Sequence, residues 1–314
     1  LEQDPSMTAA RNRLQDLEQD RGHTRNTIEN LKVVLHKNPH YRDGYRQLAQ
    51  SYCKMGLYGF AEKAAEKVLA MDDDADARAS VENIRHRSVD QSRALPFDET
   101  RLQWFLEIFR GRGDSHARQW VDANGRCGYM PVERPMRTDD VRKHLSGEDT
   151  LAVYPVTVRD TVRFIVFDVD VSKRKILVSD ESALPALRQR THEDILRIRD
   201  ACRSAGMEML VEDSGYKGRH GWLFFQNKNF EKEIDSRRAM LIGKKILKSA
   251  GQPAEDLVWE MFPHGKIDRE FCRVKLPLGV NKKNNRRGLF LNEKGEPFED
   301  QFEPLRNIVR ADID

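Results

Sequence analysis

Two aspartates follow an apolar run near the middle of the chain. Asp168 and Asp170 end the segment Phe164-Ile-Val-Phe-Asp-Val-Asp, whose consecutive apolar residues predict a buried β-strand. Side chains alternate along a strand, so the two carboxylates point to the same side. Like charges at that distance repel each other unless a cation lies between them, and hard divalent cations prefer such oxygen ligands. The pattern favours a metal site, and a surface turn is the alternative.

A glycine-rich basic loop lies one predicted helix and one predicted strand after these aspartates. It reads Ser214-Gly-Tyr-Lys-Gly-Arg-His220 and leads directly into an apolar segment. Its glycines permit tight turns whose backbone N–H groups can approach phosphate oxygens, and Lys217, Arg219 and His220 add donors to anions. A plain hairpin is the alternative interpretation of the loop alone. Its combination with the aspartate pair indicates phosphate binding.

A third acid and a group of cations follow in the sequence. Glu260 lies inside the apolar run Leu257–Phe262, where a carboxylate is costly unless it is paired or binds a metal. Arg273 and Lys275 alternate with apolar residues, so both project from one face of a predicted strand. No acid lies among the basic residues of this region, which are Arg273, Lys275, Lys282, Lys283, Arg286 and Arg287. For Lys282 and Lys283, a solvated surface position is an equally good interpretation.

The elements that must position these residues begin near residue 99. Helices are predicted at 101–110, 137–145, 184–204 and 230–250. Strands are predicted at Leu151–Val156, Val162–Val169, Glu208–Val211, Trp222–Gln226, Leu257–Phe262 and Phe271–Pro277. This mixture predicts an α/β or α+β domain over residues 96–314.

Residues 1–95 are predicted to form a separate all-α module and a polar linker. After Asn38-Pro39, small and apolar residues have the spacing of one tetratricopeptide repeat, namely Tyr45, Leu48, Ala49, Tyr52, Gly56, Ala61 and Ala65. Such modules usually bind proteins or peptides, so a protein partner is one expectation. A helical brace for the neighbouring domain is the other.

Composition excludes several classes of protein. The chain has 314 residues, of which 39% are hydrophobic and 33% charged, and its formal net charge is +3. It has no apolar run of about 18 residues, so no membrane span is expected, and its charged first 20 residues do not resemble a signal peptide. The cysteines form no CxxC pair, which predicts reduced thiols in a cytoplasmic protein and no zinc site.

The order of the three motifs resembles that of archaeo-eukaryotic primase-polymerases, and the second motif also looks like that of the polymerase domain of bacterial end-joining ligases. Further matches are similar to primases of TOTE conflict systems and to CRISPR-associated primase-polymerases. They are Phe109-Arg-Gly-Arg112, Gly128-Tyr129, His144-Leu145, Val153-Tyr-Pro155 and 273–290. The resemblance covers about 100–292, and the N-terminal module suits the CRISPR-associated group.

This resemblance implies an α+β fold with an archaeo-eukaryotic primase core, in which a small α/β subdomain packs on an RRM-like sheet. It implies a template-dependent nucleotidyltransferase, a primase or DNA/RNA polymerase of a CRISPR-associated or mobile-element defence system. Its partners would be nucleoside triphosphates, a single-stranded template and a primer, and its cofactors two Mg²⁺ or Mn²⁺ ions. The alternatives are a repair or end-joining polymerase that extends but does not initiate, and an inactive nucleic-acid-binding module.

The resemblance also assigns roles to residues. Asp168, Asp170 and Glu260 would hold the metal ions, and His220 would join them in catalysis. Nucleotide binding would fall to Ser214, Lys217, Gly218, Arg219, His220, Arg273 and Lys275. Nucleic-acid contacts would fall to Arg110, Arg112, Lys282, Lys283, Arg286 and Arg287. For Arg110 and Arg112, an ion pair at a helix end is an equally good interpretation. Relatives usually have Asp in the third motif, and Asp268 is a nearby alternative to Glu260.

Overall fold

The computed structural model describes residues 23–24, 26–54, 58–72, 75–89, 95–122, 126–172, 184–227, 233–264, 272–282 and 284–313. The helices are α1 (26–37), α2 (Arg42–Lys54), α3 (Tyr58–Met71), α4 (Ala75–Val89), α5 (Glu99–Phe109), α6 (Thr138–Ser146), α7 (Leu184–Ser204), α8 (Ser236–Ala250) and α9 (Glu303–Arg306). Among the described residues, no helix is both long and apolar enough to cross a membrane.

The strands lie mainly in two sheets. They are β1 (His116–Val121), β2 (Cys127–Val132), β3 (Leu151–Val153), β4 (Thr161–Val162), β5 (Phe164–Val171), β6 (Met209–Asp213), β7 (Arg219–Asn227), β8 (Ile234–Asp235), β9 (Leu257–Phe262), β10 (Val274–Lys275), β11 (Leu289–Leu291) and β12 (Ala311–Ile313). The mixture of helices and antiparallel sheets confirms the predicted α+β class.

The larger sheet has the strand order β11-β6-β7-β5-β9, and β12 adds to β7 in parallel. Its central strands are antiparallel and apolar, so side chains alternate between two buried faces. Ile165 and Phe167 of β5 face a core covered by α7 and α8. Phe164 and Val166 face a second core, to which α5 and α6 contribute. The sheet is therefore covered on both sides except where polar residues end its strands.

The smaller sheet has the order β10-β3-β1-β2. Its β3 contributes Leu151 and Val153 to the second core, which joins the two sheets. The hairpin of β1 and β2 is absent from the sequence prediction, because its apolar residues are interrupted by polar residues, glycine or proline and form no continuous apolar run. Phe271 of the predicted strand Phe271–Pro277 lies outside the described residues, and β10 comprises Val274 and Lys275, which pair with β3.

Helices α1 to α4 pack around a core of their own, which includes Ile28, Leu48, Ala61 and Val81. Val121, at the end of β1, packs against this core. The smaller sheet thus contacts helices α1 to α4 through Val121. The tetratricopeptide assignment and the boundary at residue 95 remain predictions.

An aromatic cluster fixes α5 on the larger sheet. The Phe109 ring is fully buried and lies 5.1 Å from the ring of Trp222, 5.9 Å from that of Phe224 and 6.2 Å from that of Phe164. The edge-to-face geometry of these pairs is favourable for aromatic rings. At the other end of the helix, Asp98 accepts a hydrogen bond from the backbone N–H of Arg101, as an N-cap residue does.

We expect Phe109→Ala to lower the free energy of unfolding by about 3–5 kcal/mol, because it removes a ring from a packed core. Leu241→Ala is the control, since Leu241 is 59% exposed on α8 and a surface substitution changes stability by about 0.5 kcal/mol or less. Urea unfolding followed by circular dichroism measures both. Equal stability of the two variants would contradict the packing described for α5.

Candidate active site

The predicted acids lie on the second-core face of the larger sheet, beyond its apolar part. In β5, Asp168 and Asp170 follow Phe164 and Val166 on this face. The intervening Val169 points to the opposite core. The alternation predicted from the sequence thus places both carboxylates on one side.

Strand register extends this arrangement into a row of polar side chains. Asp168 is directly opposite His220 on β7 and opposite Glu260 on β9. His220 is in turn opposite Glu212 on β6. Directly opposed residues of antiparallel strands share a face of the sheet. We call these four residues, Glu212, His220, Asp168 and Glu260, the polar row.

Asp168 lies in the interior of the polar row. Burial raises the pKa of its carboxyl to about 6; His220 opposes the shift, and the neighbouring Asp170 and Glu260 add to it. The Nε2 atom of His220 is 3.9 Å from Oδ1 of Asp168. A carboxylate in this position would be stabilised by a further cation.

Lys217 neutralises the second aspartate. Its Nζ atom is 2.7 Å from Oδ2 of Asp170 and donates a hydrogen bond to the carbonyl of Val171 at 2.7 Å. The loop is closed by Ser214, whose N–H donates to the Gly218 carbonyl and whose Oγ accepts from the Gly218 N–H. At Gly218, a Cβ atom would lie 2.6 Å from the Val169 carbonyl oxygen. The loop therefore needs glycine there to approach β5.

His220 is hydrogen-bonded to Glu212, a residue that the sequence did not indicate. Glu212 is fully buried, and its Oε2 atom accepts hydrogen bonds from Nδ1 of His220 at 2.9 Å and from Nε1 of Trp222 at 2.8 Å. Nζ of Lys275 lies 3.5 Å from the other oxygen. The predicted strand ended at Val211, two residues before the end of β6 at Asp213. A hairpin folded symmetrically about Tyr216 would have placed residue 212 opposite residue 220.

Glu212 and His220 stabilise each other's charged forms. Burial alone would raise the pKa of Glu212, but Lys275 and His220 outweigh it and lower that pKa. Burial likewise opposes a charged His220, but the Glu212 carboxylate outweighs it and raises the pKa of the imidazole. Both shifts favour an ionised Glu212 beside a protonated His220.

Glu260 is exposed at the edge of the polar row on β9. Its strand has the predicted bounds, Leu257–Phe262. Its neighbour Trp259 points to the other face, where its Nε1 donates to the buried Asp194 carboxylate at 2.8 Å. Asp268, the alternative third acid, lies outside the described residues.

Two of the basic residues predicted to bind nucleotide or nucleic acid, Arg219 and Arg286, pair with Asp213, which is not part of the polar row. Nη1 of Arg219 is 3.1 Å from Oδ2 of Asp213, and Nη2 of Arg286 is 3.6 Å from the same oxygen. Arg219 neighbours His220 in β7, so its side chain points to the opposite face. The structure therefore does not bring Arg219 to the side of Asp168.

The remaining predicted contacts are spread over the smaller sheet and its surroundings. Arg273 lies over the ring of Tyr129, with its guanidinium carbon 5.5 Å from the ring centroid. Arg110 is half exposed near Glu107, and Arg112 pairs with Asp114 at 3.1 Å.

Two further basic residues contact backbone carbonyls. Arg287 is 2% exposed and donates to the carbonyls of Leu145 and Leu278. Lys282 donates to those of Gly147 and Glu148. Their charged groups already have partners in this structure. Lys283 lies outside the described residues.

The donor set of the site fits a hard cation. Asp168, Asp170 and Glu260 offer carboxylate oxygens on one face, and burial makes a net negative charge at Asp168 costly without a counterion. Within the ranges that the structure describes, no three His, Cys, Asp or Glu side chains form a ready-made metal site. Among the described residues, the Lys217 ammonium already pairs with Asp170, at 2.7 Å.

Comparisons with known proteins bear on the fold and family. Residues 100–314 match the family described as "TOTE conflict system, Archaeo-Eukaryotic Primase domain", and no curated protein matches the chain. Among solved structures, the chain is similar to "Polymerase Domain from Mycobacterium tuberculosis Ligase D in complex with DNA". That similarity has 12% sequence identity and a TM-score of 0.37, and it covers 58% of this chain and 75% of that one. The family match spans well over half of the chain, which therefore belongs to the archaeo-eukaryotic primase domain family of TOTE conflict systems.

Proposed function

We propose that this protein is a template-dependent nucleotidyltransferase that transfers a nucleotide from a nucleoside triphosphate to a 3′-hydroxyl and releases pyrophosphate. Membership of a primase domain family supports the reaction class. The observation that carries the proposal is the polar row, in which Asp168 lies between His220 and Glu260, with Asp170 on the same face. The row combines anionic oxygens with donors suited to phosphate.

Divalent cations, Mg²⁺ or Mn²⁺, would be held by Asp168, Asp170 and Glu260. When bound, two such ions supply a lower pKa for the attacking hydroxyl and charge stabilisation for the leaving pyrophosphate. The fit rests on the oxygen-only donor set and on the raised pKa of Asp168.

The protein's own cations would bind the triphosphate. His220 directs Nε2 toward the Asp168 side of the site, because its Nδ1 is bonded to Glu212. Lys217 is already on the same side, at the Asp170 carboxylate. Phosphoryl transfer depends mainly on positioning and on charge stabilisation, which this arrangement would provide.

The substrates and setting follow from the family. The proposed partners are a single-stranded template and a primer strand, and the proposed setting is a defence or mobile-element conflict system, which the family description supports. The direct test is incubation of the full chain with single-stranded template, labelled nucleotides and Mg²⁺ or Mn²⁺. Arms with and without primer separate initiation from extension. Absence of metal-dependent incorporation in every arm would reject the proposal.

We expect Asp168→Asn and Asp170→Asn each to lower nucleotide incorporation by at least about 100-fold, since a lost metal ligand costs several kcal/mol of transition-state stabilisation. Asp200→Asn is the control, because Asp200 is an exposed carboxylate on α7. Single-turnover primer extension measures the rates, and thermal unfolding verifies the fold. Near-wild-type synthesis by a variant carrying both changes would contradict the mechanism.

Lys217→Met should raise the KM for nucleoside triphosphate by about tenfold, because a charge-assisted hydrogen bond to phosphate contributes about 1.5–3 kcal/mol. Lys244→Met on the exposed side of α8 is the matched control. The nucleotide concentration dependence of primer extension gives both constants. An unchanged KM and kcat in the Lys217 variant would remove the loop from the site.

Glu260→Gln should abolish synthesis under saturating Mn²⁺, whereas Asp268→Asn should leave it near the wild-type rate. Each change removes one charge with little change of shape, so the pair isolates the third carboxylate. The expectation follows from the register that places Glu260 opposite Asp168. Loss of synthesis on the Asp268 change alone would assign the third motif to residue 268.

A further inference from the structure

We infer that Glu212 is the positioning residue of His220: it fixes the orientation of the imidazole so that Nε2 faces the site of nucleotide transfer. The inference rests on the proposed function for its kinetic consequence, though not for its geometry. Glu212 is directly opposite His220 in the antiparallel pairing of β6 and β7. Its Oε2 atom accepts a 2.9 Å hydrogen bond from Nδ1 of His220, and the residue is fully buried.

The Glu212 carboxylate is itself immobilised. Trp222 donates to Oε2 at 2.8 Å, and the Lys275 ammonium lies 3.5 Å from Oε1. Behind it, a Cβ atom on Gly288 would lie 2.5 Å from Oε1. A larger residue at position 288 would therefore displace the carboxylate. A partner held on three sides can fix the ring that it contacts.

As a consequence, only one nitrogen of the His220 ring faces the candidate site. A half-turn of the imidazole exchanges Nδ1 with Cδ2 and Nε2 with Cε1 with little change in shape, so the hydrogen bond at Nδ1 determines where Nε2 points. With Nδ1 bound to Glu212, Nε2 is left on the Asp168 side, 3.9 Å from Oδ1. The Trp222 ring, 6.4 Å from the His220 ring at 76°, packs beside it.

A purely structural role is the competing explanation. Glu212 also neutralises Lys275 and satisfies the indole of Trp222, so its loss could weaken the core without acting through His220. The two roles differ in additivity, because a residue that acts through another has no further effect once that other is removed.

The test is a double-mutant cycle of Glu212→Gln and His220→Ala, with kcat and KM measured for nucleoside triphosphate in primer extension. We expect Glu212→Gln to lower kcat/KM by about 10–100-fold, the range for loss of such a supporting partner. In the His220→Ala background it should change kcat/KM by less than about threefold. Equal effects of Glu212→Gln in both backgrounds would overturn the inference.

Asp194→Asn is the matched control for this cycle. Asp194 is also a buried carboxylate that accepts an indole hydrogen bond, from Trp259 at 2.8 Å, and it pairs with Arg197. It lies on the opposite face of the sheet and does not touch His220. Its effect should be the same with and without His220. If the change in kcat/KM caused by Asp194→Asn differs between the two backgrounds, the cycle is reporting the stability of the core. That result would count against the inference.

A spectroscopic measurement separates failure of the inference from failure of the proposed function. In wild-type protein labelled with ¹⁵N-histidine, His220 should show a protonated Nδ1, assigned by its loss in His220→Ala. Glu212→Gln should convert this signal to a mixture of ring forms. A wild-type ring without a proton on Nδ1 overturns the inference even if the variant does not fold. If the wild-type ring carries that proton but the protein incorporates no nucleotide, only the proposed function fails.

Discussion

The antiparallel register of β5 with β7 and β9 is the constraint on which the candidate site depends. It places His220 and Glu260 on either side of Asp168. A shift of one residue in either pairing would move the partner side chain to the face covered by α7 and α8. Apolar residues prevent that shift, since Ile165 and Phe167 fill one core while Phe164 and Trp222 fill the other. The packing that stabilises the sheet therefore also selects which polar side chains meet.

Charge balance within the site follows from the same register. Each buried ion costs free energy unless an opposite charge lies beside it. Glu212 has Lys275 and His220 as neighbours, and Asp170 has Lys217. Asp168 has His220 at 3.9 Å and is stabilised less by Lys217, and burial still raises its pKa to about 6. Of these acids, Asp168 is the one that an added cation would stabilise most.

The sequence was sufficient for features that depend on local pattern. The alternation in β5, the helix 184–204 and the strand Leu257–Phe262 are all as predicted. Pairing between strands is not local, so the position of Glu212 opposite His220 was missed although both residues lie in one hairpin. The β1–β2 hairpin was missed for a related reason. Of its two strands only β1 pairs with β3, and in both strands the apolar residues are interrupted by polar residues, glycine or proline.

Basic residues show a second limit of sequence reasoning. The described residues in 276–282 and 284–288 have little regular secondary structure. Many backbone carbonyls there therefore have no partner in a β-ladder and need other hydrogen-bond donors. Arg287 donates to the carbonyl of Leu278, and Lys282 donates to that of Gly147. In the sequence such residues cannot be distinguished from cations that bind phosphate. Two of the basic residues in this stretch, Lys282 and Arg287, therefore satisfy an irregular backbone.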